Sequence, residues 1–354
     1  MKMVIFGLTV SSSWGNGHAT IWRALCGELA RAGHQIKFFE RDVSYYAQHR
    51  DLQKAEGYQL LLYRYWDEIT AQAEIAVGDS DAVVVTSYCP DARAASEMIL
   101  QVNGPVRIFY DLDTPVTLGR LRSGEEVDYI PVGGLSPFDL VLSYTGGRAL
   151  QELRDRLGAK RVVPLYGTVD ANVYQPVQHD AHFESDLSYL GTYASDRQPI
   201  LEELFVKPAR RCPGKKFVIG GAQYPEEFPW TENMWFVRHV PPPEHPAFYS
   251  SSRLTLNVTR AAMADMGFCP SGRLFEAAAC GTPVISDWWD GLDEFFDPGN
   301  EIFIATTSEG VQEVLMKDPE ELRHVADAAR SRVRSEHTAQ RRCNELLERI
   351  QEAA

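Results

Sequence analysis

Apolar and polar positions alternate between two periods along the chain. Residues 2–8 form a short apolar run, and a polar, glycine-containing loop follows over 9–17. Ile21, Leu25, Leu29 and Ala30 then recur at helical spacing, Gly33 ends that helix, and residues 35–39 give a second strand. Residues 81–86 (Asp-Ala-Val-Val-Val-Thr) are a continuous β-branched run, as in a parallel strand covered on both faces, and 106–110 and 139–143 repeat the theme. Over 167–186 the pattern gives way to Asp, Asn, Pro and His, the composition of a linker. A second series begins at 187–190 and continues through 216–219, 235–237, 254–258 and 282–286, with helical segments between most of these runs. Beyond Glu320 the chain is helix-prone, with Leu346, Leu347 and Ile350 as its apolar stripe. The pattern predicts an α/β protein of two Rossmann-like, doubly wound domains over 1–170 and 171–335. A C-terminal helix over 336–354 is expected to pack back towards the first domain. Ligands of open α/β sheets sit at the carboxyl ends of strands, so both halves are expected to face an interdomain cleft.

Composition narrows the partners. The 354 residues suit two domains, and 44% hydrophobic with 24% charged residues is the balance of a chain with real cores. Acidic residues outnumber basic ones 49 to 35, giving a net charge of -14, which repels a phosphate backbone and argues against nucleic acid. An anionic small molecule would then need a local cluster of arginines and backbone N–H groups. The cysteines (Cys26, Cys89, Cys212, Cys269, Cys280, Cys343) show neither a C-x-x-C pair nor zinc-finger spacing and read as thiols of a reducing, cytoplasmic compartment. The chain enters an apolar strand at residues 3–6 without a leader pattern, and no apolar stretch approaches the roughly 20 residues that span a bilayer, so no stable membrane insertion is expected.

The most informative stretch is Pro270-Ser271-Gly272-Arg273-Leu274-Phe275-Glu276, followed by Ala277-Ala278-Ala279-Cys280-Gly281-Thr282-Pro283-Val284-Ile285-Ser286. Ser271 stands as an N-cap, Leu274, Phe275 and Ala278 give the helix a buried face, and Gly281 closes it. Free N–H groups at Gly272 and Arg273, with the helix dipole, make an anion site fit for a diphosphate. Glu276, on the first turns, can accept from vicinal hydroxyls such as those of a ribose, or merely complement the helix N-terminus.

This block, with Gly291-Leu292 and Pro298-Gly299-Asn300-Glu301, resembles the nucleotide-sugar signature of the group-1 glycosyltransferases. It is most similar to their spore-maturation and spore-coat glycosyltransferase-like subgroup, as are Tyr189-Leu190-Gly191-Thr192-Tyr193 with Arg197, Leu256-Asn257-Val258-Thr259-Arg260, and His337-Thr338-Ala339 with Arg341. The resemblance implies a GT-B fold, a nucleotide-diphosphate sugar as donor substrate, Glu276 on the nucleotide ribose, and retention of anomeric configuration. Two departures stand out. Such enzymes usually carry two glutamates with seven residues between them, but the first position is Phe268 here, which leaves Asp265 as the substitute. The Gly-Arg…Lys phosphate loop becomes Gly191-Thr192…Arg197, with Arg260 either replacing the missing cation or pairing with Asp265.

In the first half, Trp14-Gly15-Asn16-Gly17-His18 lies between a strand and a helix, where glycines permit close approach of a ligand. Gly15, Gly17 and Thr20, with Glu40 near a ribose-binding position, approximate a dinucleotide fingerprint. The long intervening loop makes a nicotinamide site a poor fit, and no cofactor is expected. His18 either handles the donor sugar or the acceptor's proton, or caps its own helix. Asp111-Leu112-Asp113 follows a strand; its Asp-x-Asp pattern is weak metal evidence, so no metal is expected and Asp113 is read as an acceptor contact or general base. Trp14 is a possible sugar platform, while Trp288 and Trp289 stay open between core and site roles.

Together these features predict a retaining, metal-independent glycosyltransferase acting on a small-molecule or glycan acceptor. Its rivals are a sugar-nucleotide epimerase of the same fold and a non-catalytic sugar-nucleotide-binding protein. Base, sugar, acceptor and oligomeric state depend on loop shapes that spacing does not encode.

Overall fold

A computed structural model describes residues 1–52 and 54–354 of the chain. It divides into unit 1, Met1–Gly167 with Ala339–Ala354, and unit 2, Thr168–Thr338.

Unit 1 is built on seven parallel strands: β1 (Lys2–Gly7), β2 (Gln35–Arg41), β3 (Gln59–Tyr63), β4 (Ala82–Thr86), β5 (Val106–Asp111), β6 (Leu140–Ser143) and β7 (Val162–Pro164). Their order across the sheet is β3-β2-β1-β4-β5-β6-β7. Ile5 lies opposite both Phe38 and Val84, and all three are fully buried, which explains why these central strands read as unbroken apolar runs. The sequence pattern gives no strand at β3 or β7. Both are sheet edges, where one face or side needs no partner and the apolar signal thins: Gln59 and Leu62 of β3 are exposed. The helix Ala339–Ala353 packs on the helix His18–Arg31, burying Cys343, Leu346 and Ile350.

Unit 2 has six parallel strands: β8 (Leu187–Leu190), β9 (Phe217–Gly221), β10 (Met234–Arg238), β11 (Thr255–Asn257), β12 (Val284–Ser286) and β13 (Phe303–Ile304). They are ordered β10-β9-β8-β11-β12-β13. Leu187, Phe205, Phe217, Ile219, Leu256 and Ile285 meet in its core. The polar stretch before β8 is not a bare linker, since Val169, Tyr174 and Phe183 are buried within unit 2. The helix Gly272–Ala279 buries Leu274, Phe275 and Ala278 and packs on the helix Pro319–Glu336. It ends at Gly281, whose φ of +75° favours a residue without a Cβ.

Each sheet reverses its winding beside its first strand, between β1 and β4 in unit 1 and between β8 and β11 in unit 2. The loops leaving the carboxyl ends there cannot cover one another, so each unit has a crevice suited to a ligand. Among the described residues no helix is long and apolar enough to cross a membrane.

Candidate active site

In unit 2 the loops after β8 and β11 and the helix Gly272–Ala279 carry the second-half site residues. Ser271 occupies the N-cap position of that helix, but its side chain makes no capping hydrogen bond. The expected serine cap is therefore absent. Among the described residues the amides of Gly272 and Arg273 have no acceptor, and a Cβ added to Gly272 would meet nothing within 4 Å. An eight-residue helix thus begins with two unsatisfied N–H groups and free space beside Gly272, as an anion site requires. Gly191 and Thr192 leave β8, and Thr192 O accepts from Arg197 Nη2 at 2.5 Å. Arg197 is only 9% exposed. Arg260 is the residue that departs from expectation: its Nε lies 3.5 Å from Asp196, not against Asp265, and its side chain is half-buried. Asp265 is exposed on the short helix Ala261–Met266. Phe268, where the first glutamate would stand, adopts a φ of +49° and covers Gly291, so that segment is shaped by packing rather than by a carboxylate.

Glu276 sits among groups that sequence spacing did not reveal. Its Oε2 is 3.6 Å from Nδ1 of His245, on the helix His245–Ser250. His245 Nε2 faces the Val240 carbonyl at 3.1 Å, which fixes that nitrogen as the N–H donor and turns Nδ1 towards the Tyr174 hydroxyl at 3.2 Å. Burial first, and the Glu276 charge second, drive the hydroxyls of Tyr174 and Tyr249 well above the ordinary tyrosine range, so both stay protonated beside the carboxylate. The neighbouring loop is braced by Asp287: both its oxygens accept from Thr259 N at 3.1 Å, and Oδ1 also accepts from Thr259 Oγ1 at 2.9 Å. Burial raises the Asp287 pKa against those hydrogen bonds. The segment 245–249 held the only local hint of the cluster, a His and a Tyr one helical turn apart.

In unit 1 the structure brings His18 and Asp113 together. His18 Nε2 is 3.6 Å from Asp113 Oδ2, with the imidazole against the edge of Tyr88 and its Nδ1 buried without a partner among the described residues. His18 does not cap its helix; Asn16 does, its Oδ1 accepting from the amides of His18 (3.1 Å) and Ala19 (3.3 Å). Those amides are therefore taken, which weakens the expectation that this helix start meets a ligand. Gly15 (φ +67°) and Gly17 flank Asn16 and are exposed. Trp14 stacks on His49 at 4.1 Å between ring centroids, so one face of the supposed sugar platform is already covered. Asp111, passed over as a site residue, is fully buried; its Oδ1 accepts from Asp113 N at 3.1 Å and its Oδ2 is unpartnered among the described residues. Burial lifts its pKa to about 6. Glu40, the acid considered for a dinucleotide ribose, is spent within the protein. It accepts from Thr9 Oγ1 (2.9 Å), Val10 N (2.7 Å), Ser11 N (2.9 Å) and Ser11 Oγ (2.5 Å), which leaves nothing for a ribose.

A cavity of about 490 Å³ in unit 2, lined by His179, Asp186, Lys216 and Arg253 among others, opens at the amino ends of β8 and β9, opposite the loops described above. Its position at the wrong end of the strands separates it from the site chemistry.

Residues 197–348 match the family described as glycosyl transferase-like. That stretch is a glycosyl transferase-like domain. No curated protein sequence matches the chain. In fold, the glycosyltransferase is similar to a sucrose-phosphate synthase from Thermosynechococcus elongatus (14% identity, TM-score 0.69, 100% of each chain covered). It is also similar to HepE of Anabaena in complex with UDP-glucose (13% identity, TM-score 0.69, 99% of this chain and 100% of that one). A third, the trehalose-6-phosphate synthase OtsA, matches at 9% identity and a TM-score of 0.70 over 99% of both chains. The architecture of the glycosyltransferase is thus GT-B, two parallel-sheet units with a C-terminal helix.

Proposed function

We propose that this glycosyltransferase binds a nucleotide-diphosphate sugar in unit 2 and passes the sugar to a small-molecule or glycan acceptor. The open amides of Gly272 and Arg273, with Arg197 nearby, receive the diphosphate, and Glu276 accepts from the ribose hydroxyls. The pair of unsatisfied amides at the start of the Glu276 helix is the observation that carries this reading. Positive groups fixed there stabilise charge on the departing diphosphate as the glycosidic bond loosens. His18, paired with Asp113, handles the acceptor hydroxyl's proton. The UDP-glucose held by the HepE structure supports a uridine nucleotide as the first donor to try. Retention of configuration and membership of the spore-coat-like subgroup, which the sequence resemblance implies, and independence from metal and a cytoplasmic location, which rest on the weak Asp-x-Asp pattern and the scattered cysteines, belong to the same proposal.

Calorimetry with UDP and Glu276→Ala tests it. Losing two charge-assisted hydrogen bonds costs about 3–6 kcal/mol, roughly 150- to 25,000-fold in affinity. Unchanged affinity would remove Glu276 from the donor site. Incubating the chain with UDP-glucose and no acceptor, then analysing the sugar, separates transfer from epimerisation.

A further inference from the structure

At 9% exposure an arginine ordinarily has a carboxylate partner, because an unpaired buried cation is costly. Arg197 has none among the described residues. Nη2 donates to the Thr192 carbonyl, and Nε is buried with no partner. Burial pulls its pKa down, and the charge of Arg273 pulls the same way, so a second guanidinium lies close by. That second guanidinium is also without an ion pair among the described residues. Arg273 Cζ lies 5.4 Å over the Tyr189 ring, and its Nη1 donates to Asn257 Oδ1 (3.3 Å) and the Val258 carbonyl (3.2 Å). Its Nη2 points at Gly191: a Cβ built there would stop 3.1 Å from Nη2 and 2.8 Å from the Tyr189 hydroxyl. Two cations are therefore held side by side by neutral partners only, each with a guanidinium N–H unspent. The carboxylate that follows this loop, Asp196, makes no ion pair with Arg197, acting on it only through the weaker pull of its charge, and lies 3.5 Å from Arg260.

We infer that the side chains of Arg197 and Arg273 form a two-guanidinium clamp for the donor's diphosphate, a proposal that rests on the donor reading above. Arg273, standing on the Tyr189 ring, supplies the cation that the Gly191-Thr192 loop lacks; Arg260, already neutralised by Asp196, does not. Phosphate oxygens accept from Arg197 Nε and Arg273 Nη2 beside Gly191, where any larger residue would fill the gap. An anion between them relieves their mutual repulsion and satisfies both orphaned donors at once.

Calorimetry of the full chain with inorganic pyrophosphate and with UDP tests the clamp. Arg273→Met is expected to weaken both ligands at least 10-fold, Arg273→Lys by about 3- to 10-fold because the charge stays and the fork is lost, and Arg260→Met by less than twofold. Thermal melts check that each variant folds; should Arg273→Met unfold, Arg273→Lys carries the comparison. If the wild type binds UDP and Glu276→Ala weakens it, while the Arg273 variants stay within twofold, the clamp is wrong and the donor reading stands. An Arg260→Met loss as large as that of Arg273→Met overturns the clamp too. If neither UDP, GDP, ADP nor pyrophosphate binds the wild type, the donor reading itself falls.

Discussion

Replacing Glu40 with glutamine isolates the role of one buried carboxylate in shaping the loop after β1. The native side chain is 1% exposed and accepts from two backbone amides and two hydroxyls between Thr9 and Ser11. An amide of the same shape has a single acceptor oxygen. If that oxygen keeps the amides of Val10 and Ser11, its NH₂ faces the Thr9 and Ser11 hydroxyls, which must rotate to accept. All four bonds then change from charge-assisted, about 1.5–3 kcal/mol each, to neutral, about 0.5–1.5 kcal/mol. Part of that difference is recovered because a neutral amide is cheaper to bury, so a net loss of about 2–4 kcal/mol is expected. Urea denaturation followed by tryptophan fluorescence reads this as an earlier transition of unit 1, with the unit 2 transition unmoved. Separate transitions are required, since two compact units need not unfold as one. A shift under about 0.5 kcal/mol would show that water or other groups satisfy the loop as well as Glu40 does, and the assignment of Glu40 as its brace would have to be abandoned.

The remaining predictions concern the site itself. Asp111, with a pKa raised to about 6 from 3.8 by burial, contributes fully below pH 4 and loses that contribution as pH rises through 6. Asp111→Asn should therefore gain on the wild type by on the order of 3 kcal/mol above pH 6 and show no such gain at pH 4, as read from urea midpoints; parallel curves would disprove the shift. His18→Gln and Asp113→Asn should each lower turnover by about 10²–10⁴-fold while nucleotide affinity by calorimetry stays put, and a matching loss of affinity would make the pair structural. Gly191→Ala drives a methyl against the Tyr189 hydroxyl and Arg273, so a loss of about 1–3 kcal/mol in stability and a weaker hold on UDP are expected in melts and calorimetry.

What the sequence disclosed and what it withheld follow from the range of the interactions. The helix bearing Glu276 was legible because its cap position, apolar face and closing glycine lie within one short stretch, Ser271 to Gly281. Arg197 stands out in sequence only through the resemblance of its loop, and nothing local announces its burial. Glu40 was visible as an acid near the end of β2, but its partners lie 29–31 residues away and convert a supposed ligand contact into a loop brace. The Tyr174–His245 contact spans 71 residues, and no periodicity encodes it. The ion pair of Arg260 is hidden for the same reason: its partner is Asp196, 64 residues upstream, and not the nearby Asp265. Edge strands β3, β7 and β13 escaped because strands with one neighbour need little apolar patterning. The Asn16 cap is ambiguous in sequence, because Gly15 and Gly17 on either side suit a ligand-binding turn equally well.

The helix Ala339–Ala353 belongs to unit 1 although all of unit 2 lies between it and the rest of that unit. On a ribosome, every strand of the second sheet is made before the segment that packs on the first helix, with Cys343 against the Leu25 carbonyl, is available. Until then Trp22, Leu25 and their neighbours wait beside an uncovered flank, so the later-made domain is free to finish folding before the earlier one. Nascent chains halted before residue 339 should expose that flank to chaperones while unit 2 already resists protease.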